Sequence, residues 1–349
     1  MTSSMCSTQG FALVDLSVRR AIREVVATVR AVHGPRRCSI PATTIGVKLF
    51  GVSVLAIVAC ATRLPAAVTI TEYPAGFAPG DIAAGPDGNL WFTGANNVGR
   101  ISTAGAVTDY SIPTPNSGPG GVTAGPDGNL WFREFNADKI GKITTSGVVT
   151  EYPLANNSGP GSVTAGRDGN LWFTEFGAGK VGKITTGGVI TEYPVHVGSS
   201  PSGITGGPDG NLWFTEQGGI AKITTNGSVT EYPIPPASNE PTSITAGPDG
   251  NLWFTEDTAN KIGKVTTSGA VTEYAVPTAT SGLTDITAGP DGNLWFTENV
   301  ANKIGLITIG GAITEYPVPA TNSRPDGIVL GPDGNLWFAE TNSGQIGKV

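Results

Sequence analysis

The sequence predicts an all-β fold, a seven-bladed β-propeller with four-stranded antiparallel blades, and three observations predict it. The pentapeptide Gly-Asn-Leu-Trp-Phe occurs seven times, placing Trp91, Trp131, Trp172, Trp213, Trp253, Trp295 and Trp337 at intervals of 40 to 42 residues. Just ahead of each lies an Asp-Gly turn, written Pro-Asp-Gly in six repeats and Arg167-Asp168-Gly169 in the third. Leu-Trp-Phe is apolar at consecutive positions, so both faces of that strand are covered, as they are in a blade held between two blades.

One repeat shows the elements in order. Residues 243–246, Ser-Ile-Thr-Ala, read as a short first strand, and Pro248-Asp249-Gly250 as a hairpin turn, because Pro presets φ and Gly accepts φ > 0. Residues 251–256 form the second strand and 261–266 the third. Thr267-Ser268-Gly269 turns the chain into a fourth strand at 270–274, which prolines then end. Four antiparallel strands in about 40 residues make a propeller blade. Helical repeats of this length need ten or more residues with a 3.6-residue apolar period, which the frequent Gly and Pro forbid. A β-helix has shorter coils and no hairpin turn in every repeat.

The chain ends predict how the ring closes. Residues 68–74, Val-Thr-Ile-Thr-Glu-Tyr-Pro, read as a fourth strand, whereas residues 345–349, Gln-Ile-Gly-Lys-Val, read as a third. The N-terminal strand is therefore expected to complete the C-terminal blade, leaving no open edge.

Before the repeats the composition changes. Residues 1–67 hold eight Lys/Arg and two Asp/Glu, leaving 13 basic and 26 acidic residues in the repeats, a net charge near −13. Such a surface repels phosphate backbones, which excludes nucleic acid as a partner. Cys6, Cys38 and Cys60 all precede the repeats, so the propeller has no disulfide. Residues 49–61, LFGVSVLAIVACA, follow Lys48 and Arg36-Arg37 in the layout of a secretory signal, and are too short for a membrane span. The expected division is an upstream extension at 1–46, poorly ordered or helical, with an amphipathic pattern at 11–32; a signal peptide at 47–67; and the propeller at 68–349. Ile57-Val58-Ala59-Cys60 also reads as a lipobox. The protein is thus expected to be exported, extracellular or periplasmic, with Cys60 as a candidate lipid anchor.

Candidate chemistry lies on the face opposite the Asp-Gly turns, where the repeats vary, as at 234–242 and 278–284. Second strands end in Glu134, Glu175, Glu216, Glu256, Glu298 and Glu340, with Gly94 in the first blade. Six carboxylates at one mouth would suit a divalent cation. The competing reading pairs each with a repeat lysine such as Lys139, Lys180, Lys261 or Lys303. Asp249-Gly250-Asn251 lacks the further spaced acids of a calcium loop and reads as turn chemistry. His196, the one histidine of the repeats, lies in a blade-to-blade loop.

Gly-Ile-Thr-x-Gly-Pro-Asp-Gly-Asn-Leu-Trp-Phe-Thr-Glu, Asn-Lys-Ile-Gly-Lys-Ile-Thr and Thr-Glu-Tyr-Pro-Val-Pro together resemble the streptogramin lyases, or virginiamycin B lyases, over residues 68–349. The resemblance implies a seven-bladed propeller that uses magnesium to linearise a cyclic depsipeptide antibiotic, a resistance activity, by elimination across the ester. It places the family's two catalytic histidines at Thr284 and Asp326, its catalytic glutamate at Glu340, and a second carboxylate at Arg324. Both histidines are thus replaced, and Arg324 sets a fixed positive charge against a bound magnesium. Asp326 with Glu340 is the remaining candidate catalytic and metal pair, with Arg324, Glu298 and His196 as candidate ligand contacts. A lactonase-like hydrolase would need a metal cluster that the sequence lacks.

The expected function is therefore a non-catalytic binding or interaction module, monomeric, taking a neutral or cationic small molecule or peptide, or a protein, with no certain cofactor. Its alternative is a carbon–oxygen lyase with magnesium and a remodelled site at Asp326, Glu340 and Thr284.

Overall fold

A strand buried on both faces must split its side chains between two neighbours, and the second strands do so. Leu252 and Phe254 face the preceding blade, where they pack with Trp213 and Ile220. Trp253 faces the following blade, where it packs with Leu294 and Phe296. The computed structural model describes residues 45–49, 52–56, 68–196, 198–234 and 240–349. Within 68–349 this packing repeats around seven four-stranded antiparallel sheets. Trp337 of the last blade meets Leu90 and Phe92 of the first, so the cycle closes. All the indoles are buried, Trp295 being the most exposed at 6%.

The fifth blade shows the construction: Pro241–Ala246, Leu252–Glu256, Lys261–Val265 and Val271–Ala275. Phe254 lies opposite Gly263 on the third strand, and a Cβ there would come 2.0 Å from the ring. Glycine at that position makes room for the phenyl ring. Trp253 stacks on Tyr274 at 5.8 Å, and the Lys264 ammonium lies 5.0 Å from the indole. The Asp-Gly-Asn turn supplies what the buried indole needs. Asp249 Oδ1 accepts the Trp253 Nε1 hydrogen bond at 3.0 Å and Oδ2 that of Asn251 Nδ2 at 2.8 Å. The same indole–aspartate bond occurs in all seven repeats.

Closure is as the sequence implies. Thr71–Pro74 pairs antiparallel with Gln345–Lys348, Tyr73 opposite Ile346, as the outer strand of the last blade. A separate compact unit spans Met1–Ala66. Its described part is a hairpin of Ile45–Leu49 and Val52–Ala56. Cys60, the lipobox and the amphipathic stretch at 11–32 lie outside the described residues. Among the described residues, no helix is long and apolar enough to cross a membrane.

Candidate functional site

First strands are the innermost of each blade, and a cavity of ≈ 390 Å³ opens where all seven begin. Two consecutive positions per blade line it, and their chemistry is uneven. Gly80, Gly120 and Gly161 occupy the first position on one side, whereas Thr242, Thr284 and Asp326 occupy it on the other. The second position holds Asp81 and Asp285, with Ser162, Ser243 and three glycines in the remaining blades. Arg133 enters from the second strand of the second blade, at the place filled by threonine in five blades and by Ala339 in the last. Its guanidinium lies over Gly120, where a Cβ would come 2.6 Å from Nη2, and 5.7 Å from the Phe135 ring.

Hydrogen bonds fix these groups. Asp81 accepts the amides of Ile82 at 2.8 Å and Val122 at 3.0 Å. Asp285 accepts the Ser243 hydroxyl at 2.5 Å and the amides of Ile286 and Ile328 at 2.8 Å each. In the middle blades the strand-two threonines tie neighbours together instead, Thr215 Oγ1 donating to Thr242 O at 3.0 Å and Thr255 Oγ1 to Thr284 O at 3.2 Å. Thr284 Oγ1 is within 2.7 Å of Thr297 Oγ1.

Burial sets the protonation of the cavity. It pushes Asp81 up to about 7, with Asp285 adding to the shift and Arg133 opposing it. Burial likewise raises Asp285. Asp326 is pushed up to about 6 by burial and then by Asp285, against a Thr284 hydrogen bond and the Arg133 charge. Burial in turn pushes Arg133 down, and Asp81 and Asp326 oppose that.

The expected residues are only partly brought together. Asp326 and Thr284 line the cavity; Glu340, Glu298, Arg324 and His196 do not. Arg324 is exposed, and the positive charge acting on Asp326 is that of Arg133. His196 is exposed in its loop. Glu340 is buried within its own blade, where it accepts the Ser343 hydroxyl at 2.9 Å. The six strand-two glutamates expected at one mouth are not part of the cavity lining, and all six are buried.

The expected ion pairs are corrected too. Lys139, Lys180, Lys261 and Lys303 bond to the fourth-strand Glu151, Glu192, Glu273 and Glu315 at 2.5–3.0 Å. A third strand lies between the second and the fourth, and its lysine turns to the more accessible carboxylate. Asp81, Asp285 and Arg133 were missed as site residues. Their signal was a departure from the repeat: Arg133 where threonine recurs, and aspartate where the other repeats have Gly or Ser.

The donor set does not fit magnesium. Among the described residues no three His, Cys, Asp or Glu side chains converge in a metal-holding group. Glu340 is turned to Ser343, and Asp326 shares its cavity with a guanidinium.

These features define a seven-bladed propeller with an acidic axial cavity. The virginiamycin B lyase family model matches residues 59–219 and 156–349, and the chain belongs to that family. It is 40% identical to a streptogramin B lyase, with a TM-score of 0.75 and coverage of 80% of this chain and 96% of that one. It is 41% identical to virginiamycin B lyase from Staphylococcus aureus, with a TM-score of 0.77 and coverage of 80% and 98%. A catalytically inactive histidine-to-alanine variant of that enzyme, solved with quinupristin, matches at 40% identity, a TM-score of 0.77 and the same coverage. Comparison with curated proteins finds no match.

Proposed function

We propose that this propeller is a non-catalytic binding module whose axial cavity takes an organic cation. The carrying observation is the lining: Asp81, Asp285 and Asp326, all raised by burial, against the single guanidinium of Arg133. A cation entering there exchanges for protons and restores the charged carboxylates, which gives it a charge-assisted hydrogen bond. Thr284 carries a hydroxyl that is no base at neutral pH, and it is already engaged by Thr297. The signal-like segment at residues 49–61 supports placing the module outside the cytoplasm.

The second reading is a lyase without the family histidines, and Asp326 favours it. A carboxylate held near pH 6 in the cavity could take a proton while an ester C–O bond breaks and the leaving carboxylate departs. One experiment separates the two. The purified protein is incubated with quinupristin and magnesium, and the product mass is followed. Intact antibiotic is the expected result, whereas a linear product that disappears in Asp326→Asn establishes the lyase. Calorimetric titration with choline, putrescine and arginine amide checks the binding reading. At least one is expected to bind, with about a tenfold loss or more in Asp326→Asn; no binding by any of them overturns the cation.

A further inference from the structure

Blade three carries a buried acid that the cavity does not use. Glu175, at the end of the second strand, is fully buried, and neither carboxylate oxygen has a hydrogen-bond partner. Ser158, from the loop entering the same blade, is fully buried too, and its Oγ is equally without a partner. The backbone closes around the pair: Gly177 N donates to Ser158 O at 3.0 Å, and Gly179 N to Glu175 O at 2.9 Å. Blade four repeats the arrangement with Glu216 Oε2 and Ser199 Oγ, closed by a 2.6 Å bond from Gln217 N to Ser199 O.

Ser117 and Glu134 of blade two are likewise without partners, although Asn96 stands at that joint, and two other joints differ. The serines entering blades six and seven, Ser281 and Ser323, donate to Asn260 and Asn302 of the preceding blade at 2.8 Å. At the corresponding place before Ser158 stands Asp138, whose oxygens accept the amides of Asn157 and Gly159 at 2.8 Å each. Before Ser199 stands Gly179, which has no side chain to offer.

The charges around Glu175 do not support an anion. Glu192 on the fourth strand and Asp138 from the preceding blade repel it, and Lys180 alone attracts it. That ammonium is already bonded to Glu192 Oε2 at 2.5 Å. A buried carboxylate and a buried hydroxyl without hydrogen-bond partners are both unfavourable. A water able to make two to four hydrogen bonds, together with a proton on the acid, removes that cost.

We propose that these two joints are internal water sites, in which one water bridges Ser158 Oγ to a protonated Glu175 carboxyl, and another bridges Ser199 Oγ to Glu216. Burial, which pushes Glu175 and Glu216 up to about 7, acts in the same direction. The propeller then takes up protons at these joints as it folds.

A high-resolution crystal structure of the full chain at pH 6, paired with infrared difference spectra, tests this. A single water is expected within hydrogen-bonding distance of both Ser158 Oγ and a Glu175 oxygen; it persists in Glu175→Gln and is lost in Ser158→Ala. In the wild-type-minus-Glu175→Gln difference spectrum one carboxylic-acid carbonyl component is expected, superimposed on those of the other buried acids, which cancel. Direct contact of Ser158 Oγ with the carboxylate, a cation in place of the water, or a difference spectrum in which Glu175→Gln removes only an ionised-carboxylate band at pH 6 would each overturn the proposal. Should a variant fold poorly, the wild-type map decides alone.

Discussion

Asp285 Oδ2 accepts the Ile328 amide at 2.8 Å, and this bond fastens the sixth blade to the seventh beside the axis. Asp81 makes the matching bond from the first blade to the second, accepting the Val122 amide at 3.0 Å. Elsewhere the threonine hydroxyls do this work, as Thr215 and Thr255 show. Asp81 and Asp285 thus both line the cavity and tie neighbouring blades together. Asp285→Ala is expected to lower the unfolding free energy by about 1–3 kcal/mol, because the Ile328 amide is left buried and unpaired. It also removes a negative charge that raises Asp326, so the Asp326 titration should move down. Urea unfolding and carboxyl NMR titration measure the two effects; an unchanged midpoint would show the joint to be held by packing alone.

Two sets of carboxyls pull the pH dependence in opposite directions. Glu134, Glu175, Glu216, Glu298 and Glu340 are pushed by burial from an ordinary 4.5 to about 7. Between those values the folded ring holds protons that the unfolded chain releases, so their contribution is full below about 4.5 and is lost as pH rises through 7. The turn aspartates, such as Asp87 and Asp249, behave inversely. Burial opposes ionisation there, but the indole and asparagine donors prevail and hold each below 3.8. Their contribution is lost as pH falls below that value. Thermal midpoints should therefore peak in mildly acidic buffer, near pH 5, and decline towards pH 8. A midpoint that keeps climbing to pH 8 would contradict the raised glutamates.

Gly263→Ala and Gly187→Ala make the same chemical change in different surroundings. At Gly263 the new methyl would meet the Phe254 ring at 2.0 Å, while at Gly187 the nearest atom is Thr185 Oγ1 at 3.8 Å. The first is expected to cost at least about 1–3 kcal/mol, through displacement of a buried ring. The second should stay within about 0.5 kcal/mol of the parent. Equal costs in denaturant titration would mean that the phenyl ring moves freely.

Removing residues 68–74 deletes the strand Thr71–Pro74 and the Tyr73 ring stacked 5.5 Å from Trp337. Gln345–Lys348 then becomes an open edge, ready to pair with another chain. The expected outcome is a lower thermal midpoint, faster amide exchange over 336–348, and dimers or larger species in size-exclusion chromatography. An unchanged melting curve would mean that closure adds nothing to stability.

The architecture was legible because it is written seven times. Consecutive Leu-Trp-Phe, an Asp-Gly turn and an orphan fourth strand at the N-terminus each depend only on strand period and turn chemistry, which are local. The cavity was half legible. Thr284 and Asp326 are legible from the repeat motifs, whereas the absence of Glu340 and Glu298 from the cavity is not, because chain order says nothing about which way a strand-end side chain turns. The lysines were assigned the wrong glutamates for a related reason: a third strand has two neighbours, and sequence spacing alone does not choose between them.

By itself, the sequence determined the blade count, the blade order and the ring closure, since all of these follow from periodicity and residue identity along the chain. Only the tertiary structure decided that Asp81, Arg133, Asp285 and Asp326 meet. They belong to the first, second, sixth and seventh blades, and it is the ring, bringing the starts of all the inner strands to one axis, that turns positions up to 245 residues apart into neighbours and shifts their protonation by burying them together.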